Sequence, residues 1–342
     1  MLKKIFLALL GACVILGSCG TGDAAASAAS QILGGSTQAL LFINCKAVSH
    51  DEIEFEFSGA VMIKSLNFEP ALAVSSIQDG STVKVKLEES PPAGALFTAD
   101  LLAEDEKGNS INVVVPFHSR NDRMPKLVIN EICTENGTSA NKKTEFIELK
   151  MKSAGNLGAM RVVILGNTNA TKLTVYEFMP CEVKNGDYVV IHLRTLEESS
   201  INEYNGNIEE SGSKNSSSSA WDFYVLGNTK WLHKTTVIYV LDQDDNVLDA
   251  VMLSENPDSW WGKDYFAEAA GFLFEKDAWK SPEGEICSPA DSVISVNTTN
   301  TRTISRDESA EAADTNTAAD WYITDTSCAT PGKPNNPKRY SK

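Results

Sequence analysis

Two short apolar segments that enclose polar residues constrain this chain more than any other feature. Leu127–Cys133 reads LVINEIC and Phe146–Leu149 reads FIEL, so Asn130, Glu131 and Glu148 lie inside apolar strands. A carboxylate or an amide in such a strand costs free energy unless it is hydrogen-bonded. The pattern therefore predicts two strands of a sheet whose polar residues fix geometry.

Related residues continue to the end of the chain. Glu145 precedes the second segment, and the C-terminal part contains Trp321 and a TPGKPN motif with Pro331, Gly332 and Asn335. An INE strand, an EFIEL strand and a terminal TPGxPN motif, in this order, resemble the lamin tail domain family of bacterial secreted proteins. The resemblance implies an immunoglobulin-like β-sandwich in which these residues form a structural motif, and it implies no enzymatic activity.

The preceding residues predict another β-sandwich. Ile53–Phe57 and Val83–Leu87 alternate apolar and polar residues, which places one face of each strand on a core and the other in water. Turn signals separate roughly seven short strands, a number typical of sandwiches. The succession resembles bacterial immunoglobulin-like domains, in which an EDxxGN turn joins the last two strands.

We therefore predict an all-β chain of two tandem immunoglobulin-like β-sandwiches, with a short helical insertion in the second. The predicted parts are a lipoprotein signal peptide at 1–18, a flexible tether at 19–38, a bacterial immunoglobulin-like sandwich at 39–118, a linker at 119–125, a lamin-tail-like sandwich at 126–336 and a tail at 337–342. The second sandwich has predicted insertions at 196–220 and 257–285.

The first residues predict export and a lipid anchor. Lys3 and Lys4 precede an apolar run that ends at Leu16, which has the length of a secretory signal and is too short for a permanent membrane span. The run closes with Leu-Gly-Ser-Cys and resembles the lipobox of bacterial lipoproteins, in which the cysteine is acylated. Cys19 is thus the predicted lipidation site, and an ordinary secretory signal is the alternative.

Charge and leader together predict a location in the bacterial cell envelope. The formal net charge is −16, which repels phosphate backbones and anionic lipid and argues against a nucleic-acid partner. Membrane attachment is therefore expected through the lipid on Cys19 alone. Because Gly20 rather than aspartate follows Cys19, we expect the outer membrane or the cell surface rather than the inner membrane.

Five cysteines follow the predicted lipid site, and none of them has the spacing of zinc ligands. An odd number leaves at least one without an intramolecular partner. Buried free thiols and one or two disulfides are both open at this point. The five are Cys45, Cys133, Cys181, Cys287 and Cys328.

A run of acidic residues offers a weak calcium candidate. Asp242, Asp244 and Asn246 carry oxygen atoms at alternate positions, as hard cations require. Val247 occupies the position where an EF-hand loop needs glycine, and Leu253 stands where its last glutamate would be. A hairpin turn is the favoured alternative, because Asp and Asn are common in turns.

The aromatic segment from Trp260 to Trp279 departs from the lamin tail pattern. Apolar residues at helical spacing predict a short amphipathic helix: Phe266, Ala270, Leu273 and Phe274. Exposed aromatic residues anchor interfaces and stack on sugars, which makes Trp260, Trp261, Tyr265 and Phe266 the candidate recognition residues. The alternative is that they pack a helix onto the sandwich.

Composition also marks Ser211–Ser219 as a surface loop that cannot bury enough apolar area to order itself.

No catalytic motif, metal-ligand spacing or cofactor fingerprint is found in the chain. We predict a membrane-anchored envelope lipoprotein that is a non-catalytic binding or structural module for a protein or glycan ligand. The alternative is an exported hydrolase or an accessory domain of one, with Glu131, Glu145 and Glu148 as candidate acids.

Overall fold

A computed structural model describes residues 39–138, 143–166, 168, 172–257, 260–309 and 312–341. The predicted signal peptide, the lipidation site Cys19 and the tether lie outside these residues. The described part contains nineteen β-strands and one α-helix, so the all-β prediction is confirmed. In the described part, no helix has both the length and the apolar character that crossing a membrane requires.

The chain forms two compact units. The first comprises the residues up to Pro92 together with Leu96–Arg120, and the second comprises Ala93–Ala95 together with the residues from Asn121 onward. Asn121, inside the predicted linker, is buried in the second unit, where its Nδ2 donates to the backbone oxygens of Asn156 and Gly158.

The first unit contains six strands where the sequence predicts roughly seven. They are β1 (Phe42–Ser49), β2 (Glu52–Glu69), β3 (Val74–Gln78), β4 (Gly80–Leu87), β5 (Leu96–Glu104) and β6 (Ser110–His118). The order is β3-β4-β2-β5-β6, with β1 also paired to β2. The number is smaller because β2 continues for 18 residues, pairing first with β4 and then with β5.

Strict alternation builds the core of the first unit. Phe55 of β2 lies opposite Val83 of β4, and both are fully buried with Val85 and Leu101. The intervening residues are charged and form surface ion pairs such as Lys84–Glu54. No polar or charged side chain between residues 39 and 118 is buried. Burial of apolar area is therefore what specifies this interior.

The second unit contains thirteen strands and the helix. They are β7 (Leu127–Cys133), β8 (Phe146–Met151), β9 (Gly155–Asn156), β10 (Arg161–Leu165), β11 (Leu173–Glu177), β12 (Glu182–Val183), β13 (Tyr188–His192), β14 (Trp221–Tyr224), β15 (Thr236–Leu241), β16 (Val247–Ser254), α1 (Asp264–Glu275), β17 (Val293–Ile294), β18 (Ile304–Arg306) and β19 (Trp321–Ile323).

Two sheets of this unit share one apolar core. Their orders are β11-β10-β15-β16-β17 and β14-β13-β8-β7-β18-β19, and β9 and β12 form a separate two-stranded ribbon. Ile129 and Leu149 of one sheet and Val162 and Val251 of the other are fully buried in that core. The polar residues of β7 and β8 lie between or beside these apolar positions.

The predicted helix is present as α1, and its buried face comprises Phe266, Ala269, Ala270 and Leu273. The side chain of Phe274, predicted on the same face, is 37% exposed. Successive helical residues are about 100° apart around the axis, so the residue after Leu273 turns away from the core. The predicted helix is thus confirmed, and the placement of Phe274 on its buried face is wrong.

The prediction that Ser211–Ser219 does not order itself is wrong. Ser211 and Ser213 are buried, and Ser211 donates from its backbone N–H to Glu203 at 3.1 Å. Ser217 donates from its backbone N–H to Asp222 at 2.6 Å. Buried carboxylates satisfy the polar groups of this segment, so its order depends on hydrogen bonds rather than on apolar burial.

Candidate functional site

The candidate site begins with an irregularity in β7. The pairing between β7 and β8 shifts register between Ile129 and Glu131, which gives β7 one extra residue at Asn130. Such a bulge re-aims the side chains around it. As a result, Asn130 and Glu131 are both fully buried, and Glu131 lies opposite Glu148 of β8.

Asn130 connects this pair of strands to the end of the chain. Its Nδ2 donates to Glu148 at 2.8 Å, and its backbone oxygen accepts from Asn335 Nδ2 at 3.0 Å. Asn335 Nδ2 also donates to the backbone oxygen of Arg306 at 2.9 Å. One amide from the C-terminal motif therefore holds β7 and β18 together.

Residues Thr330–Asn335, which we call the C-terminal strap, are bound through their backbone. Thr330 N–H donates to Glu131 at 3.0 Å, Gly332 N–H to Glu148 at 2.5 Å, and Asn335 N–H to Glu308 at 2.6 Å. Each contact is a charge-assisted hydrogen bond when the carboxyl group is ionised. Three carboxyl groups thus fix the strap across the strands.

Gly332 has no room for a side chain. Its φ is +78°, and a Cβ built there would lie 2.3 Å from the Oγ of Ser217. Ser217 Oγ in turn donates to the backbone oxygen of Pro331 at 3.2 Å. The strap therefore also closes over the serine-rich segment, which explains the glycine in the TPGKPN motif.

Burial shifts the acidity of the carboxyl groups under the strap. Desolvation raises the pKa of Glu131, although Thr303 Oγ1 donates to it at 2.5 Å and opposes the shift. Desolvation also raises the pKa of Glu148 well above its ordinary value, and the neighbouring Glu131 adds to that rise. The hydrogen bonds to these groups come from donors that belong to the fold itself, and both side chains are sealed from solvent.

Two buried arginines pair with two other buried acids. Arg194 binds Glu145 through two nitrogens at 2.6 and 2.7 Å. Arg306 binds Asp249 at 2.7 Å and lies 4.6 Å above the ring of Trp321. Desolvation raises the pKa of Asp249 to about 6, with Arg306 opposing the shift.

The structure engages each of the three candidate acids with a partner inside the fold. Glu131 and Glu148 bind the strap, whereas Glu145 is directed to Arg194. An acid pair for catalysis needs access to substrate. These three carboxyl groups hold backbone and side chains in place instead.

A chain of polar contacts that sequence reasoning missed lies beside the serine-rich segment. Thr144 Oγ1 lies 2.8 Å from His192 Nδ1, and His192 Nε2 lies 2.6 Å from Asp222. The ring of Tyr224 stacks on His192 with centroids 4.6 Å apart. These residues are 30 to 48 positions apart in the chain, so no local spacing could have indicated the contact.

Glu203 supports the same chain of contacts. It accepts from the backbone N–H of Asp222 at 2.7 Å and is fully buried. Desolvation raises its pKa to about 7. This side chain therefore gains or loses a proton near neutral pH inside the fold.

The calcium candidate forms a hairpin turn. Asp242 Oδ1 accepts from the backbone N–H groups of Asp244 and Asn246, and its Oδ2 accepts from Asn246 Nδ2. Asp105 and Asn109 of the first unit form the same three kinds of contact. In the described residues, no cluster of three metal-binding side chains is found.

The candidate recognition residues do not share one surface. Trp260 is 69% exposed, whereas Trp261 and Phe266 are buried, with Trp261 Nε1 donating to the backbone oxygen of Cys287. Tyr265 is half-buried and donates to the backbone oxygen of Gly166. Recognition by Trp261 and Phe266 is therefore excluded, because these rings pack the helix onto the sandwich.

The five cysteines are free thiols in the structure. Burial raises the pKa of Cys133 and Cys181 to about 12. Cys287 Sγ accepts from Trp279 Nε1 at 3.3 Å. The buried thiols therefore act as small packing residues.

Strands, strap and buried carboxyl groups define a class: an all-β protein whose second unit is closed by its own C-terminal segment. Residues 125–323, more than half of the chain, match the family described as the TP_1001 protein second domain, and the chain belongs to this family.

The chain is also similar to one relative and to one solved structure. The chain is 24% identical over 205 residues to an uncharacterised protein of Treponema pallidum (strain Nichols), and the match covers 58% of this chain. It spans about half, 51%, of that relative's length. The N-terminal part of the bacterial S-layer protein SbsC matches at 13% identity with a TM-score of 0.24, over 44% of this chain and 40% of that one.

Proposed function

We propose that this protein is a lipid-anchored lipoprotein of the bacterial envelope that is a non-catalytic binding or structural module for a protein or glycan ligand. Its anchor is an acylated Cys19 behind the signal at residues 1–18, with no further cofactor. A flexible tether at 19–38 lets the two units stand away from the membrane. The outer membrane or the cell surface is the proposed location.

The observation that carries this proposal is the use of the buried carboxyl groups. Glu131 and Glu148 bind backbone N–H groups of the strap, and Glu145 binds Arg194. Carboxyl groups of the kind that acid–base chemistry uses are thus engaged in hydrogen bonds and an ion pair within the fold. A rigid sandwich with loops at its ends suits display and binding.

We also infer that the second unit is a lamin-tail-like immunoglobulin fold. The support is that the residues of the INE, EFIEL and TPGxPN motifs meet although they lie far apart in the chain. Asn130 and Asn335 are 205 positions apart, and the side chain of Asn335 donates a hydrogen bond to the backbone oxygen of Asn130.

The anchor is tested by metabolic labelling of cells with an alkyne analogue of palmitate. The full-length protein is expected to be labelled and to partition into detergent, and the Cys19→Ser variant is expected to lose both properties. Cys45→Ser serves as the matched control and keeps the label. A wild-type protein without label, or a labelled Cys19→Ser variant, would refute the anchor.

One observation favours a second candidate function, an exported hydrolase or an accessory domain of one. Thr144, His192 and Asp222 have the order of a nucleophile, a base and an orienting acid. Their burial opposes this role, since Thr144 is 4% exposed and His192 is 2% exposed. Incubation with a fluorophosphonate probe decides: a covalent adduct on Thr144, absent in Thr144→Val, supports the hydrolase, and an unmodified protein rejects it.

A further inference from the structure

A cavity of the second unit is lined by residues outside the C-terminal strap. Its volume is about 270 Å³. It lies where the turn after β7, the start of β8 and the loops after β13 and β14 meet. Its polar lining includes Asn136, Lys143, Arg194, Thr195 and Asn228.

The guanidinium of Arg194 forms a fixed part of this lining. The residue is 9% exposed, and its Nε and Nη2 donate to the fully buried Glu145. Its Nη1 donates to Asn228 Oδ1 at 3.0 Å. A guanidinium has five N–H donors, and these contacts engage three of them. The other two donors, one on Nη1 and one on Nη2, have no partner among the described residues.

Hydrogen bonds and an ion pair hold the walls together. Thr195 donates from its backbone N–H to the oxygen of Gly227 at 2.8 Å and from its hydroxyl to the oxygen of Val225 at 3.0 Å. Lys230 pairs with Glu135 at 2.7 Å and so joins the loop after β14 to the turn after β7. Walls that are tied before binding lose little entropy when a ligand enters.

The charges of the cavity leave an unpaired ammonium group. The nearby acids Glu145 and Glu135 are engaged by Arg194 and Lys230, whereas Lys143 has no ion pair with any carboxylate of the described residues. At physiological ionic strength charges are screened beyond about 8 Å, so a ligand here is affected mainly by the charges close to the cavity and only weakly by the net charge of the whole chain.

We propose that this cavity binds the phosphate group of an anionic ligand. Lys143 supplies the unpaired charge, and the remaining N–H groups of Arg194 supply directional bonds of the kind that phosphate oxygens accept. Two sources share this chemistry, free phosphate and a phosphorylated headgroup of a lipid or glycan. Leu226, two residues before the lining residue Asn228, is 86% exposed and offers an apolar contact that suits the larger ligand.

Calorimetric titration of the full-length protein in detergent tests the site with two probes, inorganic phosphate and sn-glycerol 3-phosphate. Both are expected to bind, and Lys143→Gln is expected to weaken binding about tenfold, the loss of one charge-assisted contact. Lys172→Gln is the matched control, since Lys172 lies over the ring of Tyr265 and not at the cavity. It keeps the wild-type affinity.

The two probes distinguish the sources. Tighter binding of glycerol 3-phosphate assigns the site to a headgroup, and equal binding assigns it to free phosphate. Absence of heat for both probes up to about 10 mM, or an unchanged affinity in Lys143→Gln, overturns the proposal. Acylation of Cys19 is measured separately, so failure of this site and failure of the anchor are distinct results.

Discussion

The two units obtain an ordered interior in different ways. Between residues 39 and 118 no polar side chain is buried, whereas the described residues of the second unit bury seven carboxyl groups. These are Glu131, Glu145, Glu148, Glu203, Asp222, Asp249 and Asp320. Alternating apolar residues suffice for the first interior, but the second needs a particular partner for every acid.

The difference predicts unequal tolerance to substitution. Apolar cores accept many changes that conserve volume. A buried charge that loses its partner remains desolvated and unpaired, which costs about 3–5 kcal/mol. The second unit should therefore be the more fragile one wherever a polar contact is removed.

The largest expected effect is that of Arg306→Met. It leaves Asp249 without its ion pair and should lower the free energy of unfolding of the second unit by about 3–5 kcal/mol. Tryptophan fluorescence during urea unfolding measures this unit alone, because all six tryptophans lie in it. Replacing both partners, in Arg306→Met with Asp249→Leu, should recover part of the loss. A shift below about 1 kcal/mol in the single variant would contradict the structural role of the pair.

Gly332→Ala is expected to have the next largest effect. Its Cβ would collide with Ser217 and detach the strap from Glu148, at a cost of about 2–3 kcal/mol. Gly108→Ala in the first unit is the matched control: φ is +83° there, but the Cβ meets open space. That change should cost only about 1 kcal/mol. Equal losses in the two variants would show that the strap does not close the second unit.

Buried acids of the second unit and an exposed acid of the first should respond to pH in opposite directions. The pKa of Glu203 is raised to about 7 and that of Asp249 to about 6, so the folded second unit holds protons that the unfolded chain releases. Its stability should fall as the pH rises from about 4 to about 7, by up to about 1.4 kcal/mol per pH unit for each group while it titrates.

The first unit supplies the contrast. The hydrogen bond from Lys86 lowers the pKa of Asp51, so its contribution is present above the ordinary pKa and is lost as the pH falls further. Glu203→Gln should flatten the profile of tryptophan-monitored unfolding between pH 4.5 and 7. A wild-type profile that instead rises over this range would contradict the raised pKa.

The smallest expected effect comes from exchanging one residue between the matching turns. Gly108 and Asp245 occupy the same position of the two turns, with φ of +83° and +62°. Asp245→Gly relieves the positive φ but also removes the ion pair of Asp245 with Arg161, so the free energy of unfolding of the second unit should change by less than about 1 kcal/mol. Gly108→Asp should destabilise the first unit by about 1 kcal/mol. Thermal unfolding by circular dichroism measures both. A loss above about 1 kcal/mol in Asp245→Gly would contradict this expectation and show that the ion pair with Arg161 outweighs the relief of the turn.

Local patterns account for much of the fold. The alternation of Ile53–Phe57 and Val83–Leu87 gives strands, and the spacing of Phe266, Ala270 and Leu273 gives α1. Both signals are periodic, so a single segment contains them. The alternation of residues does not show that β2 continues without a break from Glu52 to Glu69. The sequence alone therefore suggested more strands than the structure contains.

Partners distant in the chain could not be predicted in the same way. Composition marked Ser211–Ser219 as too polar to be ordered, because the acids that satisfy it, Glu203 and Asp222, contribute nothing to a local hydropathy average. The contact of Thr144 with His192 has no sequence pattern either. In the aromatic segment, exposure of Trp260 and burial of Trp261 differ between adjacent residues, which composition cannot resolve.

The strap has a consequence for the order of synthesis. Thr330 follows its partner Glu131 by 199 positions, and Gly332 follows Glu148 by 184. Until the strap has been synthesised, the strands that open the second unit lack the backbone donors that these two acids bind in the folded chain. A chain cut short before Thr330 would therefore stay incompletely folded and open to proteolysis.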